Sequence, residues 1–362
     1  MEEKNNVYKN KYKVLIPTSG LGQRLGEITK YTNKSLVRVG KKPVVSYIIE
    51  SYPKDVELVI TTGYFSGQVK EFIKMAYPER KISFVNVKKY RGQGSSLGYS
   101  MLQAQKQLRC PFILHVADTI VKDKISPPSH NWCGGFKGGG SASYSSFTVS
   151  SKKVQKINKK GALDFDFLHI GLVGIKDYKD FWDALEFLYN KNPKDGGLND
   201  CMAINLMLER GSNFSVKEFK QWHDAGNIES LSQARKEIGD NFSNLDKTDE
   251  SISIFKDFVI KFFYDSKIIK QRIERAKILN KVTPKIEKYG KNFYRYKYIE
   301  GDLYSETANT SNFKDFLSWA KYNLWPLEKK IDEEKFANEC YKFYHDKTKK
   351  RINKFISLNS IN

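Results

Sequence analysis

Between Lys13 and about Gly239 the apolar positions alternate between two patterns. Short apolar runs at Val14–Ile16, Val56–Thr62, Ile82–Val87, Phe112–Ala117 and Ile170–Ile175 have the length and β-branched content of buried strands. Between them lie helical spacings: Pro43–Ser51, Ser66–Met75 with Val69, Phe72 and Ile73 on one face, and Asp177–Leu188 with Phe181, Leu185 and Leu188. This alternation predicts a three-layer α/β domain over residues 13–240, with a mixed, Rossmann-like sheet between helices. Residues 1–12 are polar and read as a flexible leader. Residues 126–151 are rich in Pro, Ser and Gly and read as a mobile excursion, a lid or hairpin over a substrate. Its aromatics Trp132, Phe136, Tyr144 and Phe147 either pack or hold an apolar or quaternary ammonium group. From Asp246 the pattern changes: a hairpin (Ser251–Phe255, Phe258–Tyr264), a basic helix (Lys267–Leu279) and a strand (Asn292–Tyr298) predict a second, smaller α+β domain over residues 246–362, ending in helices.

Charge narrows the class of partner. The 362 residues carry a formal net charge of +21, which favours anions such as nucleotides and phosphorylated small molecules. There is no RNA-recognition signature, paired-cysteine zinc site or compact arginine cluster, so nucleic acid is not expected. Cys110, Cys133, Cys201 and Cys340 are scattered without a CxxC pair and read as reduced packing residues of a cytosolic protein. No apolar run approaches the length of a membrane span, so no membrane insertion is expected.

The chemistry concentrates in Val14–Tyr47, VLIPTSGLGQRLGEITKYTNKSLVRVGKKPVVSY. An apolar strand runs into a loop with Gly20, Leu21 and Gly22, followed by Arg24 and Lys34. Glycines let backbone N–H groups approach an anion. A helix opening after the loop adds its positive end, and two cations add full charges. The pattern suits a nucleoside triphosphate. A dinucleotide fold is the rival, because Gly20, Gly22 and Gly26 nearly match GxGxxG. However, the next strand, Glu57–Ile60, ends in Thr61-Thr62-Gly63 with no acid placed to hold a ribose, and Arg24 suits a polyphosphate better.

The same stretch resembles the signature of the sugar-phosphate nucleotidyltransferases, the NDP-sugar pyrophosphorylases with the phosphocholine cytidylyltransferases among their relatives. Gly20, Gly22, Arg24, Leu25, Thr29, Lys34, Leu36, Val39, Lys42, Pro43 and Tyr47 fall at matching spacings, while Glu27 and Arg38 replace two family prolines. The resemblance implies a Mg²⁺-dependent enzyme that joins an NMP from an NTP, CTP or UTP, to a small phosphorylated acceptor. It places Arg24 and Lys34 in catalysis and Gly20, Leu21 and Gly22 on the nucleotide. It implies cytoplasmic synthesis of precursors for capsule or lipopolysaccharide, and leaves a homo-oligomer open.

Further residues follow from that resemblance. The Gly-rich loop Tyr90–Gly98 stands where the family contacts the base. Gly94 and Ser95 carry that role, and Gln93 has an amide suited to a pyrimidine edge; an ordinary helix start with Ser95 as N-cap is the plainer alternative. Asp118, closing the strand Phe112–Ala117, stands at the family's metal-binding aspartate. Carboxylates suit a hard cation such as Mg²⁺. Gln221–Gly226 resembles the family's WxDxG segment, which makes Asp224 the second metal ligand. Lys160 corresponds to the lysine of a Glu-Lys-Pro triplet that holds the acceptor phosphate, although Lys159 and Gly161 replace its neighbours. Gly171 lies on the substrate-side strand, and Asp200 is a helix cap with a candidate substrate contact. In the tail, Lys261, Glu274 and an acidic hinge resemble the small lobe of choline- and aminoglycoside-kinase-like phosphotransferases. The catalytic HGDxxxxN loop is missing, and kinase activity is not expected.

Overall fold

The computed structural model describes residues 12–239, 247–325 and 332–359. The expected leader, apart from Tyr12, and the expected boundary near residue 240 lie outside the described residues. The chain divides into two compact units, residues 1–280 with 284–299, and residues 281–283 with 300–362.

The first unit opens with β1 (Lys13–Pro17), a small hairpin of β2 (Arg38–Val39) and β3 (Lys42–Pro43), and α1 (Val44–Glu50). β4 (Glu57–Thr62), α2 (Ser66–Ala76), β5 (Ile82–Asn86), α3 (Leu97–Leu102) and β6 (Phe112–His115) follow. Then come β7 (Thr119–Val121), β8 (Trp132–Phe136), β9 (Ser146–Ser150), β10 (Lys153–Asn158) and β11 (Phe167–Ile175). α4 (Tyr178–Lys191), α5 (Asp200–Glu209), β12 (Ser215–Glu218), β13 (Trp222–Asp224) and α6 (Ile228–Ile238) complete the main body. Nine strands form one sheet in the order β5-β4-β1-β6-β11-β8-β12-β10-β9. β5, β4, β1 and β6 run parallel, and β11 is antiparallel to β6 and β8.

The sheet is buried on both faces, which explains the unbroken apolar runs. Val14 and Ile16 of β1 pack with Val45 of α1 and Phe72 of α2, whereas Leu15 packs with Met101, Phe181 and Ile204 of α3, α4 and α5. The mixed three-layer architecture is therefore as the alternation of patterns predicts.

Residues 126–151 correct the expectation of a mobile excursion. β8 lies inside the sheet between β11 and β12, with Trp132 and Cys133 fully buried. Its glycines serve packing: a Cβ on Gly134 would lie 2.7 Å from the Leu172 carbonyl oxygen, and one on Gly135 2.6 Å from the Phe147 ring. Glycine content here reports close approach of neighbours within a sheet.

β14 (Glu250–Ile254), β15 (Phe258–Phe263), α7 (Ser266–Ile278), β16 (Ile286–Tyr289) and β17 (Phe293–Lys297) form a four-stranded antiparallel sheet, order β14-β15-β17-β16, with one helix. This sheet shares the main core: Phe255, Ile260, Phe262 and Phe293 join the cluster that contains Phe72 and Ile73 of α2. Polar anchors fix the contact. Arg295 donates to the Met75 carbonyl at 3.0 Å and Arg38 to the Ile252 carbonyl at 3.0 Å. Glu71 Oε1 accepts the backbone N–H groups of Asn292 and Phe293 at 3.0 and 2.9 Å. Glu71→Ala leaves both donors without that charged acceptor and is expected to cost about 2 kcal/mol, read as a lower midpoint in urea unfolding.

The kinase-like Lys–Glu pairing expected in this sheet is not formed. α7 buries Ile269 and Ile273 toward the strands, which leaves Glu274 on the exposed side. Lys261 is partly buried, and its pKa is lowered by that burial and by Arg272, against an opposing pull from Glu250. The second unit consists of α8 (Tyr304–Thr307), α9 (Thr310–Asn323), α10 (Glu333–Tyr341) and α11 (Lys347–Asn359). Among the described residues no helix is long and apolar enough to cross a membrane.

Candidate active site

The C-terminal ends of β1 and β6 open into a cleft of about 460 Å³ lined by Gly20, Leu21, Gly22, Arg24, Lys34, Ser95, Asp118, Lys160, Gly171, Asp200 and Asp224, among others. The glycine loop is held from behind. Asn33 donates to the Thr18 carbonyl at 2.8 Å and to that of Tyr64 at 2.7 Å. The Ser19 and Ser100 hydroxyls share a hydrogen bond of 2.7 Å. Gly22 has φ 70°, and a Cβ there would stand 2.9 Å from Lys34 Cβ, so glycine serves both the turn and the approach of Lys34. Gly20 has nothing within 4 Å of its Cβ position and leaves that side of the loop open.

The expected helix after the loop is a correction. Residues Gln23–Thr29 form short 3₁₀ turns interrupted at Gly26, with φ 52° and ψ −127°. This segment has too few aligned peptide units for a strong macrodipole. Positive charge at the loop therefore comes from the side chains of Arg24 and Lys34.

Asp118 and Asp224 lie 106 positions apart in the chain and meet through a two-stranded ribbon. β7 and β13 pair antiparallel, with Asp224 opposite Thr119, and Ala225 N–H donates to the Asp118 carbonyl at 2.8 Å. Lys34 Nζ lies 2.9 Å from Asp118 Oδ2 and Arg24 Nη2 3.5 Å from the same oxygen. Burial opposes ionisation of Asp118, but Lys34 and then Arg24 outweigh it and hold the carboxyl below its ordinary pKa. For Asp224 the balance is reversed: burial and then the charge of Asp118 raise its pKa, despite hydrogen bonds from Ser230 and Tyr144. The Tyr144 hydroxyl is 3.2 Å from Asp224 Oδ2, and burial and then Asp224 push the phenol above its ordinary pKa.

Gly226 sits among these groups. A Cβ there would lie 2.8 Å from Asp118 Oδ2, 3.0 Å from Arg24 Nη2 and 3.1 Å from Asp224 Oδ1. One point within about 3 Å of both carboxylates and a guanidinium shows how tightly they converge. Gly226→Ala is expected to displace them and lower turnover by about tenfold or more with little change in melting temperature, since small displacements of reacting groups are costly; steady-state kinetics beside a thermal melt checks this.

The other half of the cleft contains Lys160, on the turn after β10, with Gly171, His169, Asp200 and Cys201. Gly171 has φ 69°, and a Cβ would overlap the Val116 side chain at 2.3 Å, so only glycine fits. Asn199, not Asp200, caps α5, accepting from Met202 N–H at 3.1 Å. Asp200 instead pairs with His169 Nε2 at 2.9 Å. Ser96, not Ser95, caps α3. Gln93 is exposed and Gly94 is buried outside the cleft lining, where a Cβ would meet Lys89 Nζ and the Pro193 carbonyl oxygen at 2.6 Å each. Trp222 and Tyr144, whose ring centroids are 5.2 Å apart, form an aromatic wall beside Asp224. Sequence reasoning missed His169, because a single histidine in an apolar strand gives no signal of its own.

No family model and no curated protein matches the sequence. Solved structures do. The CTP:phosphocholine cytidylyltransferase of Streptococcus pneumoniae is similar at TM-score 0.53 and 18% identity, covering 62% of this chain and 98% of that one. A UDP-glucose pyrophosphorylase from Acinetobacter baumannii is similar at TM-score 0.51 and 16% identity, covering 64% and 97%. The inositol-1-phosphate CTP transferase of T. maritima is similar at TM-score 0.50 and 16% identity, covering 64% and 98%. At these identities the likeness is one of fold.

Proposed function

We propose that this chain, which carries the nucleotidyltransferase fold, joins a nucleoside monophosphate from an NTP to a small phosphorylated acceptor and releases pyrophosphate. The observation that carries the reading is the convergence of Asp118 and Asp224 with Lys34 and Arg24 beside an open glycine loop. An acceptor phosphate oxygen attacks the α-phosphorus in line. The bond to the β-phosphate oxygen breaks and pyrophosphate departs. Gly20, Leu21, Gly22 and Arg24 hold the β- and γ-phosphates, and Lys34 stabilises charge on the α- and acceptor phosphates. Ser95 lies on the base side, and Lys160 and Gly171 face the acceptor.

The donor set fits a hard divalent cation. Two carboxylates face one point, about 3 Å from each, and offer the oxygen donors such a cation prefers. Asp118 and Asp224 would hold Mg²⁺, which supplies charge neutralisation on the phosphates when bound.

A sugar 1-phosphate is the favoured acceptor and CTP or UTP the favoured donor, in the cytoplasmic supply of precursors for surface polysaccharide. Phosphocholine is the second reading, favoured by the Tyr144–Trp222 wall next to an acidic group, a setting suited to a quaternary ammonium. Pyrophosphate release with Mg²⁺, across the four NTPs and a panel of sugar 1-phosphates and phosphocholine, tests the proposal. Release with one pair supports it and names both substrates. NTP binding with no release anywhere in the panel favours a nucleotide-binding scaffold instead.

A further inference from the structure

Three groups on the floor of the acceptor half take no part in the proposed reaction. His169 lies on β11, while Asp200 and Cys201 are the first two residues of α5. They bring a ring nitrogen, a carboxylate oxygen and a sulfur within 4.8 Å of one another. His169 is 7% and Asp200 4% exposed, Cys201 is half-buried, and all three line the cleft.

Burying an imidazole, a carboxylate and a thiol together is costly unless their polar atoms are satisfied. Asp200 Oδ2 lies 2.9 Å from His169 Nε2, which makes Nε2 the ring nitrogen that would share a cation with that carboxylate, while the buried Nδ1 on the far edge of the ring has no hydrogen-bond partner. The pairing of β11 with β8 shifts register between His169 and Val173, next to Gly171 at φ 69°. Such irregularities re-aim side chains at functional positions.

We infer that His169, Asp200 and Cys201 form a site for a borderline transition cation such as Zn²⁺, separate from the Asp118–Asp224 pair. The mixed N, O and S donor set selects Zn²⁺ over Mg²⁺, which prefers oxygen alone. Zinc bonds of about 2.0–2.3 Å place tetrahedral ligands roughly 3–4 Å apart, within about 1 Å of the spacing found. Three protein ligands leave a fourth position, and the cleft supplies the open side for it. Asp200 and Cys201 are fixed by the first turn of α5, so only two backbone segments must hold register. The motif escapes a CxxC search because its ligands are two neighbours and a residue 31 positions before Asp200.

Cobalt(II) titration of the full chain, first stripped with EDTA, tests the inference. One equivalent is expected to give a near-ultraviolet sulfur-to-cobalt charge-transfer band and the visible bands of a tetrahedral site. Equimolar Zn²⁺ abolishes them, and a large excess of Mg²⁺ does not. Cys201→Ser loses the charge-transfer band, His169→Gln weakens cobalt binding by about tenfold or more, and Asp118→Asn leaves the band in place. A wild-type protein without the band, displacement by Mg²⁺, or a band that survives Cys201→Ser overturns the site. The wild-type titration decides the matter even where a variant does not fold.

Discussion

Asp118→Asn is expected to lower turnover by about 10³-fold or more while the protein still folds and still binds NTP. The side chain keeps its size but loses the charge that would hold a divalent cation and that fixes Lys34 at 2.9 Å and Arg24 at 3.5 Å. Phosphoryl-group transfer relies on positioning and charge stabilisation, so losing one fixed ionic contact is costly in kcat. NTP binding survives because Lys34 and Arg24 are freed to meet the phosphates. The variant should also melt at a lower temperature near neutral pH. The native carboxyl has a depressed pKa, so it contributes stability above its unfolded value, and that stability is lost as pH falls through the folded value. Single-turnover kinetics with a nucleotide-binding titration and a thermal melt check all three outcomes.

Asp224→Asn is expected to lower turnover by about 10²-fold or more and to raise the melting temperature near neutral pH without added metal. Burial and Asp118 raise the native pKa of Asp224, so its ionised form is disfavoured by folding. Here the fold binds the proton more tightly than the unfolded chain does, and stability declines as pH rises through the folded pKa. A neutral amide removes that penalty. The two aspartates thus act alike on activity and oppositely on stability. Without added metal Asp224 takes up its proton at a higher pH than an ordinary aspartate, so Mg²⁺ binding should weaken toward the acid side. Melts with and without Mg²⁺ should show a smaller metal-induced gain in the variant than in the wild type.

The architecture was legible because the central strands are buried on both faces and must be continuously apolar, as Val14, Leu15 and Ile16 are. The glycine loop with its two cations was legible because Gly22, Arg24 and Lys34 answer to local requirements a few residues apart. The convergence of Asp118 and Asp224 depends on pairing between β7 and β13, which no local pattern encodes; only the resemblance joined them. Two local readings failed for physical reasons. Gly134 and Gly135 serve close packing inside a sheet, so glycine content did not mean mobility. Gly26 breaks the turn after the loop, so the expected helix dipole is replaced by side-chain charge. The grouping of His169 with Asp200 and Cys201 stayed hidden because those two residues come from a helix on the far side of a connection.

The most direct measurement follows the α-phosphorus. The chain is incubated with Mg²⁺, an acceptor and NTP labelled at the α-phosphorus in one reaction and the γ-phosphorus in another. The account expects the α-label in a nucleoside diphosphate-linked product and the γ-label in pyrophosphate, with neither transfer in Asp118→Asn. Label leaving as inorganic phosphate, or a γ-label appearing on the acceptor, would contradict it.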